Sequence, residues 1–230
     1  MIRRDYILRM IEEFMQVLSR IRSLKRGQLS REAVGLVDRE FERLLGGGAA
    51  AAAKLNETEL LARLIQGEPA QAVHEKTLML VALFKEAGDL STKHGNPEEG
   101  RSYYIKGIQL LLDVMAQDEP FRYPEFVPQV EAFVGALRDG ELPLETHVRL
   151  MRHYEHVGEF AKAEDCLFSI ADAAQRTPGL LELGMGFYHR LEGQSDDKLV
   201  AGNLPRSELE SGLAEFCLKV GAEQSAKRKR

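Results

Sequence analysis

The chain has no tryptophan, only two cysteines and no long run of apolar residues. Each shortage excludes something. Cys166 and Cys217 stand in apolar, helix-like stretches, "DCLFSI" and "EFCLKV", and two cysteines in 230 residues make no disulfide framework. Thiols so placed are expected to behave as small buried hydrophobes, with a reducing cytoplasm as the simplest setting. No segment nears the roughly 18 uninterrupted apolar residues of a membrane-spanning helix. The start, "MIRRDYILRMIEEFMQVL", carries an Arg pair suited to a secretion signal, but Asp5, Arg9, Glu12 and Glu13 interrupt the apolar core that such a signal needs. Positive charge is not in excess either. The net charge is −5, which gives no reason to expect nucleic-acid binding by the chain as a whole. Period-two alternation and β-branched runs are absent, so no strand is expected.

Helical periodicity fills the space instead. Ile2, Tyr6, Ile7, Met10, Ile11, Phe14, Val17, Leu18, Ile21 and Leu24 recur at three- and four-residue steps. Lys25 and Arg26 close that helix, Gly27 stops it, and Ser30 is expected to cap the next. The second helix runs through Val34, Val37, Phe41 and Leu44 to "GGG" at 46–48. Alanines 49–53 read as a joint or as helix, and alanine propensity favours helix. Further helices are expected at 57–66, 70–94, 97–117, 128–138, 144–157, 160–175, 180–191 and 207–220. The stretch 192–205 is the longest without a helical pattern. The expected fold is all-α, an array of antiparallel helical hairpins. Its divisions are an N-terminal hairpin (1–45), a Gly/Ala-rich hinge (46–55), a helical domain (56–220) and a disordered basic tail (221–230).

One hairpin has a recognisable pattern. In "LMRHYEHVGEFAKAEDCLFSIADAA", 150–174, the spacing of Leu150, Met151, Tyr154, Gly158, Phe160, Ala163 and Leu167 resembles a tetratricopeptide repeat. Met151 stands where that family has a small residue, and the closing proline comes late, at Pro178. Gly158 suits a left-handed turn, Ala163 a close helix approach, and Tyr154, Phe160 and Leu167 the space between the helices. "GNPEEGRSYYIKGIQLLL", 95–112, is similar to the turn and second helix of the same unit, through Gly95, Pro97 and Tyr104. Gly100 replaces its alanine, and Ser91 its aromatic. "LELGMGFYHRL", 181–191, resembles a third first-helix through Leu183, Gly184 and Phe187. The likeness spans about 95–190. The opening "MIRRDYILRMIEEF" also resembles the start of an uncharacterised bacterial family of similar length.

The tetratricopeptide resemblance implies a right-handed α–α superhelix. It also implies a non-catalytic scaffold, without cofactor, that holds a peptide or protein segment on a concave surface. It places ligand-facing positions on the first helices: Lys85, Asp89 and Lys93; then Glu145, Val148, Arg152, Glu155 and His156; then Met185, Tyr188 and His189. The Asn positions that clamp a C-terminal carboxylate in the best-known members are not reproduced, and Asp89 occupies one of them.

Other chemistry reads more weakly. His153 and His156 have a spacing that zinc can use, yet neither His147 nor Cys166 shares an obvious face with them. No metal site is expected, and a His-based metal enzyme is the least favoured reading. "HEKTL", 74–78, has Leu78 where a metalloprotease helix needs its second His. "LGGGAAAAAK", 45–54, and the Gly184-x-Gly186 pair lack the spacing and preceding strand of phosphate-binding loops. Arg3, Arg4, Arg9, Arg20, Arg22, Lys25, Arg26 and Arg31 outnumber Asp5, Glu12 and Glu13, and "KRKR" at 227–230 adds to this basic character. The alternative function is therefore contact with nucleic acid or a membrane surface. The broad apolar stripe of residues 2–24 would serve a homodimer if exposed. A docked helix with a solvated face is the plainer expectation for both features.

Overall fold

The computed structural model of the chain describes residues 2–66, 68–117, 121–174 and 179–227. These described residues form twelve helices and no strand. They fall into two compact units, residues 1–141 and 142–230. Among them no helix is long and apolar enough to cross a membrane.

The first unit contains α1 (Ile2–Arg26), α2 (Ser30–Leu45), α3 (Ala49–Lys54), α4 (Glu57–Ile65), α5 (Ala70–Lys93), α6 (Pro97–Gln117) and α7 (Val130–Leu137). The composition of α5 dictates the layout. Every side chain from Leu78 to Phe84 is at most 1% exposed. A helix apolar on every side has to be surrounded, and α1, α2, α4 and α6 all pack on it. Phe84 lies edge-on to Phe41 of α2, with ring centroids 4.9 Å apart, and 6.3 Å from Tyr103 of α6. The α5–α6 turn uses Gly95 at φ +83°, a conformation glycine adopts without strain. A Cβ on Gly88 would collide with the Tyr104 ring, so these two helices approach unusually closely. Ile7, Met10, Phe14, Leu18 and Ile21 are buried, and Phe14 meets Phe126 edge-on at 5.4 Å. These five positions of the α1 stripe thus dock within their own unit, whereas Tyr6 is 47% exposed.

Residues 46–55, expected as a hinge, contain a helix. Gly46 ends α2 at φ +70°, and α3 follows. Ala49 N–H, which no side chain of the local cap accepts, donates to Asp38 Oδ1 at 3.0 Å. That remote acceptor and the alanine run make the helix. The α1–α2 turn also differs from expectation. Ser30 begins α2 without capping it, and the left-handed residue is Gln28, at φ 62°, in place of Gly27. Leu29 N–H donates to Leu24 O at 3.0 Å, which closes the turn one residue later than Gly27 would.

The second unit contains α8 (Leu144–Val157), α9 (Phe160–Ala173), α10 (Leu180–Glu192), α11 (Asp196–Ala201) and α12 (Arg206–Lys227). α8 and α9 form a hairpin about Gly158 at φ +82°, with Leu150, Tyr154, Phe160, Ala163 and Leu167 buried. α10 pairs with α12, where Gly184 lies so close to Phe216 that a Cβ would collide. The stretch 192–205, expected as non-helical, holds α11. Leu199 is fully buried there, and Asp196 and Asp197 favour the first turn of the helix. The Gly202 carbonyl accepts from Ala161 N–H at 3.0 Å, closing a first-turn donor of α9. The tail expected to be disordered from 221 is helical to Lys227, in keeping with the Ala, Glu, Gln and Lys content of 222–227. Residues 228–230 and Pro178 lie outside the described residues.

Candidate functional site

The positions expected to face a ligand meet different fates in the two units. In the first, Lys85, Asp89 and Lys93 lie along one edge of α5, and α1 engages them. Lys25 of α1 donates to Asp89 Oδ2 at 2.8 Å and also to Glu86. Lys85 donates to Asp89 Oδ1 at 2.6 Å, with its ammonium 5.3 Å over the Tyr104 ring. The Tyr104 hydroxyl donates to Asp89 at 2.8 Å, and Lys93 donates to the carbonyl of Lys25 at 3.0 Å. Glu86 is 4% exposed and also pairs with Arg22 at 2.8 Å. Burial raises the proton affinity of Asp89, but hydrogen bonds from Lys25 and Lys85 outweigh it and hold the carboxyl below its ordinary value. Burial likewise depresses Lys25, and hydrogen bonds to Asp89 and Glu86 more than reverse the effect. This face is occupied from within its own unit.

Two positions of the second unit stand apart from the rest. Glu145 is exposed in the first turn of α8 and pairs with Arg149 at 3.6 Å. His189 is exposed beside Met185, and its ring nitrogen is 3.4 Å from Glu192. Tyr188, expected at the surface, belongs to the core. It is fully buried, its hydroxyl donates to Glu164 of α9 at 2.6 Å, and its ring lies 6.2 Å from Phe216 of α12. α12 packs on α10, and neighbouring Phe187 and Tyr188 are both fully buried.

Arg152, Glu155 and His156 do come together. Leu150 and Tyr154 point into the hairpin, and the helical period leaves these three on the opposite side. They line a groove of about 1090 Å³, along with Arg190, Gln194 and Lys198. Apolar surface comes from Met151, Leu183 and Leu191. Arg190 forks onto Glu155, through Nε at 2.5 Å and Nη2 at 2.9 Å. That hydrogen bonding, chiefly, holds the guanidinium above its ordinary value. Arg152 is exposed and carries no ion pair among the described residues.

Arg190 and Lys198 were not on the expected set. Arg190 was within reach, because it flanks the inward stripe of Leu183, Phe187 and Leu191. Lys198 was not, since it rides on α11, a helix without a sequence pattern.

Among the described residues no group of three or more His, Cys, Asp or Glu side chains could hold a metal ion. The His153 ring packs 5.5 Å from that of Tyr154. Burial pushes the Cys166 thiol up to about 12, far from a nucleophile's range.

Residues 1–221 match the model of a family described as Family of unknown function (DUF6483). No curated protein and no solved structure matches the chain.

Proposed function

We propose that this chain, which belongs to the Family of unknown function (DUF6483), is a non-catalytic scaffold that holds a protein or peptide segment in the groove of its second unit. The observation that carries this reading is the convergence of Arg152, Glu155 and His156 on one groove. These are positions that the tetratricopeptide resemblance marks as ligand-facing. The α8–α9 hairpin is then a tetratricopeptide-like unit. Its left-handed Gly158 and fully buried Ala163 support the assignment. α10 and α12 make a second hairpin, with α11 in place of a tight turn. Apolar side chains beside charged ones suit an extended polypeptide, which offers both kinds of group. The cytoplasm is the setting this function fits. The basic α1 favours the nucleic-acid or membrane alternative less, because Arg22 and Lys25 are committed to Glu86 and Asp89.

A random peptide library displayed on phage and panned against the chain tests the proposal. Enriched peptides are expected to bind Arg152→Ala about tenfold more weakly, a loss of ~1.4 kcal/mol, with Tm unchanged. Enrichment indifferent to that substitution removes the groove assignment.

A further inference from the structure

The groove contains an ion pair whose anion comes from the protein itself, and its charges do not balance. The anions lining it are Glu155 and Glu159. Glu155 is engaged by Arg190, and Glu159 faces Lys162 at 3.7 Å, a residue that does not line the groove. Arg152 on α8 and Lys198 on α11 are left without a carboxylate. Lys198 reaches only the amide oxygen of Gln194, at 3.5 Å.

Resting on the groove being a peptide site, we infer that its ligand is an acidic segment, with side-chain carboxylates interspersed among apolar residues. Glu155 stands in the place that one of those carboxylates takes. Uncompensated cations at two separate points of one groove favour an anionic ligand and repel a basic one. Met151, Leu183 and Leu191 between them provide for its apolar residues. The Arg190 fork already has carboxylate geometry. The Arg190 side chain is 54% exposed and Glu155 17%, so water reaches the arginine side, and a ligand carboxylate that reproduces the fork replaces Glu155 at little net cost. A nucleic acid fits less well. Single strands are held by successive bases stacking on several exposed aromatic faces; of the rings in the lining, Phe160 is 6% exposed, which leaves the His156 imidazole alone.

Fluorescence anisotropy on the full chain tests this with labelled, end-blocked peptides Glu-Glu-Leu-Glu-Glu-Leu, its Gln-for-Glu and Lys-for-Glu analogues, and a six-nucleotide DNA strand. The acidic peptide is expected to bind about tenfold more tightly than the Gln analogue, and the Lys analogue to show no binding. The double variant Arg152→Gln/Lys198→Gln is expected to abolish that preference. Glu155→Gln is expected to tighten binding of the acidic peptide ~3-fold, since it releases Arg190. A residue that merely braced the groove would weaken binding when changed, so weaker binding by a Glu155→Gln chain of unaltered Tm overturns its role. Equal binding of the acidic and Gln peptides overturns the charge class and leaves the peptide groove standing. Failure of all three peptides counts against the groove reading itself. Tighter binding of the DNA strand than of the acidic peptide overturns the inference in favour of a phosphate ligand.

Discussion

The two units contain similar helix faces and use them in opposite ways. On α5, the outward row Lys85, Asp89 and Lys93 is met by Lys25 and by the C-terminal end of α1. On α8, the corresponding row Arg152, Glu155 and His156 borders a groove. The hairpins differ less than what surrounds them. An outward row on a helix stays open only where no further helix of its unit lies over it. Charge follows the same division. Glu86, at 4% exposure, must be paired with Arg22 and Lys25. Arg152, in water, can remain alone.

Core substitution should break the comparison most strongly. Phe84→Ala removes the ring that joins α2, α5 and α6, and is expected to destabilise the first unit by about 3–5 kcal/mol. Hydrogen exchange should show faster exchange in residues 2–117 with residues 142–220 unaffected. Shared acceleration would mean that the units do not unfold independently.

Charge removal comes next. Glu86→Gln leaves Lys25 and Arg22 short of an anion and is expected to cost about 2 kcal/mol in urea unfolding. Glu155→Gln, at a pair whose arginine is half exposed, should cost less, about 1 kcal/mol. Equal losses would erase the contrast between buried and open faces.

Backbone relief should be smaller and favourable. Gln28 (φ 62°) and Asn203 (φ 56°) are the non-glycine residues with positive φ among those described. Gln28→Gly is expected to stabilise the first unit by ~1 kcal/mol. Asn203→Gly should give only a few tenths, roughly, because asparagine tolerates that region. Paired melting temperatures decide the matter.

The smallest effect separates the units by sign. Asp89 has a depressed carboxyl, so its contribution is present above its ordinary 3.8 and is lost as pH falls through its lower folded value. Glu164 behaves in the reverse way. Burial raises it, the Tyr188 hydrogen bond opposes this, and the charges of Asp165, Glu208 and Glu215 raise it further. A raised acid holds its proton more firmly when folded, so the second unit loses stability as pH rises from the ordinary 4.5 through the higher folded value. Acidification from pH 7 toward 4.5 should therefore raise the urea midpoint of the second unit, with no such gain from Asp89 in the first. Glu164→Gln should flatten that slope.

Local pattern carried much of the fold. α6 and α8 have the bounds their periodicity predicts, and Gly95 and Gly158 both take the left-handed turns assigned to them. What could not be read was long-range. The pairing of Lys25 with Asp89 spans 64 residues, and no window of sequence shows that α1 will lie on α5. The same limit hid the burial of Tyr188, since its partners Glu164 of α9 and Phe216 of α12 lie 24 residues before and 28 after it, beyond any local period. α11 was missed because it has a single buried anchor, Leu199, and so no period to detect. At the site, Arg152, Glu155 and His156 were legible because the inward stripe of α8 fixes where they point.

The hydrogen bond from Ala161 to the Gly202 carbonyl has a kinetic consequence. Glu159 at the N-cap of α9 makes no side-chain bond, so this first-turn N–H takes its acceptor from outside the helix. The acceptor arrives only when α11 and the turn after it have been made and brought back. A nascent chain therefore lacks this acceptor for the Ala161 N–H until residue 202 has been synthesised and brought back.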